Sequence, residues 1–286
     1  MKALLYQALR FVSLYNARFT AMSTTLAMKF LSFQFTNFRS RVIDMLNFNT
    51  YGEPSLPKIL IAHGLFGSAR NWGVIAKRLS DQYHVICPDM RNHGASPWFD
   101  TQSYIDMARD LSALLDRPTF IVGHSMGGKA AMVMALEYPH LISKLIVVDI
   151  APVTYPHSHS QHIDAMRAMD LSKIEKRTDV AKTLDPEVRD FLLQSLDVKN
   201  KKWQLNLNIL ETEMHKIVGF PDVSGPFSRP TLFLSGGDSN YVKPEYRPII
   251  KNLFPNAYFA KIPSTGHWLH AQKPREFEAT LRAFFN

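Results

Sequence analysis

The sequence predicts a mostly parallel α/β sheet flanked by helices, with a helical cap inserted into it. Three observations predict this class. Short continuous apolar runs alternate with longer amphipathic segments after residue 44. Most of the apolar runs stop at Gly, Pro or Asp. One interval, residues 151–229, breaks the alternation. Continuous apolar runs belong to strands covered on both faces. Strands that alternate with helices need crossover connections, and crossovers make the sheet parallel.

The elements follow in chain order. Residues 1–44 stand apart. The chain has 286 residues and a formal net charge of +8. Lys2, Arg10, Arg18, Lys29, Arg39 and Arg41 face one acid, Asp44, so most of that charge sits in the leader. Leu4, Leu5, Ala8, Leu9 and Val12 share one helical face. An amphipathic, arginine-containing, acid-poor leader is composed like a mitochondrial transit peptide. The leader reads equally as an extension ahead of a start at Met45, which makes the protein cytoplasmic. Gln7 and Arg10 interrupt any secretory apolar core, and no run of about 18–20 uncharged apolar residues predicts stable membrane insertion. The remaining chain has no basic cluster of the kind that grips nucleic acid. With Cys87 as its one cysteine, it forms neither an intramolecular disulfide nor a cysteine-based zinc site.

Strands are expected at 46–51, 59–62, 84–87, 119–123, 145–148, 231–234 and 258–262. Amphipathic helices are expected near 70–79, 102–116, 127–138, 244–253 and 274–285. These assign the core to residues 45–150 and 230–286. The interval 151–229 holds helical patterns at 163–169 and 186–196 and no convincing strand, with Pro152, Pro156, Pro221, Gly225 and Pro226 near its edges. It reads as the cap.

The chemistry starts at Gly123-His124-Ser125-Met126-Gly127-Gly128, between a strand and a helix. A G-x-S-x-G turn in that context presents a serine as a nucleophile. The turn is sharp, so residues two positions either side crowd the backbone and glycine is required. The following helix points its N-terminus at developing negative charge. Acyl transfer needs two amide donors at the tetrahedral oxyanion. One is expected from Met126. The other is expected from the loop His63-Gly64-Leu65-Phe66-Gly67-Ser68, at Leu65 or at the neighbouring Phe66.

A serine nucleophile needs a histidine that takes its proton and returns it to the leaving group. His267, in Pro263-Ser264-Thr265-Gly266-His267-Trp268 after the last strand, is placed for this. His63, His93 and His124 fit loop packing, and His270 begins the next helical segment. His124 and Trp268, the chain neighbours of Ser125 and His267, are also expected at the substrate. His157, His159 and His162 lack cysteines and any standard zinc spacing, so they predict a solvated cap entrance, with no metal and no cofactor.

The third member orients the imidazole. Two acids fall between the serine and the histidine at strand ends, Asp149 and Asp238. A G-x-x-D-x-x-V register laid on Gly236 and Val242 puts Ser239 at the acid's place. Asp149 is therefore preferred, with Ser239 as an auxiliary hydrogen-bonding group and Asp238 as the alternative. Met166, Met169, Leu192, Leu193 and Leu196 of the cap read as the roof of an apolar acyl pocket, with plain helix packing as an alternative that is compatible with it.

From about residue 46 onward the chain resembles an α/β-hydrolase of the YbfF-like esterase group, which includes mitochondrial abhydrolase-domain esterases and relatives with alcohol acyltransferase activity. The stretches that carry the resemblance are HGLFGS (63–68), DMRNHGAS (89–96), GHSMGGK (123–129), VVDIAPV (147–153), RPTLFLSGG (229–237) and GHWLHAQKP (266–274). The resemblance implies the α/β-hydrolase fold. It implies cleavage of short-chain acyl esters or thioesters through an acyl-enzyme, or passage of the acyl group to an alcohol with the same triad. It also implies Asp149 as the acid. The chain departs at Asp238, where the group often has asparagine.

Overall fold

The structure is a computed structural model that describes residues 46–180 and 183–286. The leader reading therefore lies outside the described residues. Seven strands form one sheet: β1 (Phe48–Tyr51), β2 (Lys58–Ala62), β3 (His84–Pro88), β4 (Thr119–His124), β5 (Ile142–Val148), β8 (Thr231–Gly236) and β9 (Ala257–Ile262). Their order is β1-β3-β2-β4-β5-β8-β9. Only β1 runs antiparallel, against β3. The other pairs are parallel.

Apolar burial on both faces explains the continuous runs. In β2, Ile59 and Ile61 face one core with Trp72, Ile75, Phe277 and Leu281. Leu60 and Ala62 face the other, with Met107, Leu111 and Ala131. This is the period-two alternation of a strand, hidden in the sequence because both faces are apolar. The helix Met126–Glu137 follows β4 directly and is buried from Met126 to Ala135. The helices Gly73–Leu79 and Pro274–Phe285 pack against one another on the opposite face.

Element bounds depart from expectation where the backbone is irregular. β5 begins at Ile142, earlier than the apolar run, and its pairing with β4 shifts register at Thr119 and Phe120. Between β5 and β8 the insert holds helices Ser160–Arg167, Leu207–Thr212 and Met214–Val218, with shorter turns. It also holds a two-stranded ribbon, β6 (Leu196–Asp197) with β7 (Lys202–Trp203). Two-residue strands leave no apolar run to read, and this is why the expectation of no strand in this interval misses them. Among the described residues no helix is long and apolar enough to cross a membrane.

Candidate active site

The site lies beyond the carboxyl ends of β2, β4, β5 and β8, where parallel sheets present their loops and ligands bind. Ser125 ends the strand-to-helix turn at φ 53°, in the left-handed region. Such strain persists only where the surroundings over-determine it. The glycines at both sides are required: a Cβ on Gly123 would stand 2.4 Å from the Gly127 carbonyl oxygen, and one on Gly127 would stand 2.5 Å from the carbonyl oxygens of Ala62 and His63. The turn is tied to β5 by the Ser125 amide, which donates to the Val148 carbonyl at 3.0 Å.

Asp149 follows β5 and is fully buried, also at positive φ. Its Oδ2 accepts from His267 Nδ1 at 2.7 Å and from the Ser239 hydroxyl at 2.6 Å. Its Oδ1 accepts from the Gly236 amide at 3.1 Å. With the proton on Nδ1 donated to a carboxylate, His267 keeps Nε2 as an acceptor. His267 is held on two faces. The Tyr241 ring stacks on it at 4.2 Å, and the His124 ring lies at 4.7 Å. His124 Nε2 donates to the His267 carbonyl at 2.9 Å, which pins the histidine loop to the residue before Ser125.

Ser125, Met126, Leu65 and Tyr241 line one cavity with His157, His159 and residues of the insert. The cavity offers about 310 Å³ of space, its open mouth included. The amides of Leu65 and Met126 donate to no group among the described residues. Phe66 is different. Its amide donates to His93 Nε2 at 3.2 Å, so it has no proton left for a ligand. Of the two loop residues proposed as donors, only Leu65 keeps a free N–H.

The other expectations separate in the same way. Asp238 is exposed, and only its backbone is engaged, through the Thr265 carbonyl at 2.9 Å. One residue along a tight turn sends the side chain away from the imidazole. His124, expected at the substrate, is 3% exposed and turned toward Trp72, His267 and His270. Burial and the neighbouring histidines hold its pKa well below the usual imidazole range. Trp268 is half-buried against Phe191 and does not line the cavity. Met166, Leu192, Leu193 and Leu196 are packed into the main core, so of their two readings the structure takes helix packing.

Two side chains at the site, Tyr241 and Asp89, had no signal of their own in the sequence, whereas His63 and His93 pack loops as the sequence reading has them. Tyr241 forms one face of His267 and reads as an ordinary loop tyrosine. Asp89 and His93, in the Asp89-Met90-Arg91-Asn92-His93-Gly94 stretch, hold the loop that carries Leu65. Asp89 accepts from the Ala69 amide at 2.7 Å, and His93 takes the Phe66 amide. His63 accepts from the Met90 amide at 2.8 Å and locks the two loops together. The three cap histidines form no metal-holding group among the described residues. Burial lowers His159 to about 4, so it is a neutral imidazole on the cavity wall.

A family model described as the alpha/beta hydrolase family matches residues 59–280. The chain belongs to the alpha/beta hydrolase family. A relative from Mus musculus named sn-1-specific diacylglycerol lipase ABHD11 is 40% identical over 252 residues, with 82% of each chain covered. Esterase YbfF of Escherichia coli is 36% identical, over 80% of this chain and 92% of the relative. These two place the chain within the YbfF-like group of the family. The solved structure of a marine microorganism esterase superposes with a TM-score of 0.79 at 37% identity, over 84% of this chain and 99% of the other. This alpha/beta hydrolase thus spans most of the length of each of these relatives.

Proposed function

We propose that the protein is a serine hydrolase that cleaves short-chain acyl esters or thioesters through an acyl-enzyme. The observation that carries the reading is the 2.7 Å bond from His267 Nδ1 to the buried Asp149. It leaves Nε2 free to act as a base, while a strained backbone presents Ser125 to the cavity. The relatives named esterase and diacylglycerol lipase support ester substrates.

Ser125 Oγ attacks the acyl carbonyl while His267 Nε2 takes the hydroxyl proton. Asp149 stabilises the imidazolium through its bond to Nδ1. The oxyanion accepts from the amides of Met126 and Leu65, each such donor contributing about 100-fold or more in rate. The imidazolium then gives its proton to the departing alcohol or thiol as the carbon–oxygen or carbon–sulfur bond breaks. Water, deprotonated by the same histidine, attacks the acyl-serine and releases the acid. Leu65, Met126, Ile150 and Ile217 make the cavity wall beside Ser125 apolar, and this supports an acyl group as the part of the substrate held there.

Labelling with a fluorophosphonate probe tests the reading. The wild-type protein is expected to label and Ser125→Ala is expected not to. An unlabelled wild type sinks the serine-hydrolase mechanism. Product analysis with an added alcohol then separates hydrolysis from transfer, since the acyl-serine is common to both.

A further inference from the structure

Lys129 lies one helical turn beyond Ser125, on the same helix and on the same side. It is 1% exposed, which is rare for a lysine without a partner acid. No carboxylate pairs with it among the described residues. Its ammonium instead donates to three backbone carbonyls: Val153 at 2.8 Å, Val218 at 2.8 Å and Gly219 at 2.5 Å. Tyr155 and Tyr104 supply aromatic faces at 4.8 and 5.8 Å.

The three carbonyls come from both ends of the insert. Val153 lies just after β5, where the insert begins. Val218 and Gly219 end the helix Met214–Val218. Carbonyls at a helix C-terminus lack intrahelical partners and carry partial negative charge, so an ammonium suits them. Burial pushes Lys129 down to about 7, while three carbonyl acceptors favour the protonated form. An ammonium has three donors. All three are used within the protein, so none is left for substrate. Lys129 nevertheless borders the cavity beside Ser125, together with Tyr155, Ile217 and Val218.

We propose that Lys129 is a positioning residue that ties the entry and exit of the insert to the helix beginning at Ser125 and so fixes the inner wall of the acyl cavity. The inference rests on the serine-hydrolase reading and assigns what sets its acyl selectivity. Without the ammonium, the buried Val153 and Gly219 carbonyls lose their donor and the Val218 carbonyl keeps only the Tyr155 amide, so the 217–219 wall is freer to move away from the helix. Tyr104 and the Tyr155 amide still hold the Ile217 and Val218 carbonyls, at 2.5 and 3.0 Å, so the insert keeps some of its tether.

The test compares wild type, Lys129→Met and Lys129→Arg. Fluorophosphonate labelling reports on Ser125. The ratio of kcat/KM for an acetyl over an octanoyl nitrophenyl ester reports on the wall. In Lys129→Met, Ser125 is expected to label while the ratio falls about 10-fold or more, a change of the size that hydrophobic pockets produce for a few methylenes. Lys129→Arg, which keeps a cation, is expected to lie closer to wild type than to the methionine variant. If the methionine variant gives no soluble protein, Lys129→Gln, with two donors, is read in its place. A labelled Lys129→Met or Lys129→Gln with the wild-type ratio overturns the proposal and leaves the hydrolase reading intact. So does an arginine variant as unselective as the methionine one. A wild type that does not label ends both.

Discussion

Two aspartates sit in equivalent places, at the carboxyl ends of β3 and β5, and do different work. Asp89 is 6% exposed. Its carboxylate accepts from the amides of Ala69 and Ala95 and from the Asn47 side chain, at 2.7, 2.9 and 3.0 Å. Asp149 is fully buried and accepts from the Gly236 amide, the Ser239 hydroxyl and the His267 ring. All the donors to Asp89 are groups that do not titrate, so it organises loops. One donor to Asp149 is an imidazole, so the same kind of buried carboxylate orients a base. The partner decides what a buried carboxylate does.

The largest expected effect breaks the second site. Asp149→Asn replaces one accepting oxygen with an NH2 donor and removes the charge that fixes the His267 tautomer, and kcat should fall about 10,000-fold with the fold retained. Steady-state kinetics beside a thermal melt check this; a loss of only a few-fold would return the role to another acid. Next, Asp89→Asn should cost about 1–3 kcal/mol of stability, because an amide cannot accept all three bonds. Denaturant unfolding measures it. Labelling at Ser125 should survive in the folded fraction, and complete loss of labelling with unchanged stability would erase the contrast.

The third prediction uses His63 and His93, the buried histidines that hold the Met90 and Phe66 amides. Burial lowers His63, and it lowers His93 to about 3. Their folded-state pKa values therefore lie below the unfolded value of about 6.5. The unfolded chain takes up protons below that pH that the native protein does not, so stability falls as pH falls through this range. His93 contributes up to about 1.4 kcal/mol per pH unit below 6.5, and His63 adds in the same direction. Unfolding curves between pH 7 and pH 5 should show this slope, and His93→Asn should flatten it. An unaltered slope would mean that His93 is protonated in the native loop. The smallest effect is at the exposed neighbour. Asp238→Asn should change stability by no more than about 0.5 kcal/mol, as surface substitutions do, and leave turnover as it was. A loss of activity comparable to that of Asp149→Asn would show that the turn rearranges to present Asp238.

The legible part of the site was the part made by neighbours in the chain. Gly123, Ser125 and Gly127 fall within five positions, and steric crowding over that span has one solution. Met126 followed from the same turn. Leu65 and Phe66 could not be separated by the same means, because the decision belongs to His93, which takes the Phe66 amide from a different loop. His124 was misplaced for a related reason. A residue beside a nucleophile in sequence can face the opposite way, and here it faces Trp72, His267 and His270.

The amino-acid sequence alone determined the order of strands and helices outside the 151–229 insert, the parallel character of the sheet and the serine turn. Each of these depends on hydrophobic period or on backbone sterics within a few residues. The register from Gly236 to Val242 already favoured Asp149 over Asp238, but the tertiary structure alone decided that Met166 and Leu196 pack rather than line the cavity. It also decided that Lys129 spends its charge on the carbonyls of a distant insert. Those outcomes depend on where side chains point across strand ends far apart in the chain. No local pattern of residues encodes that direction.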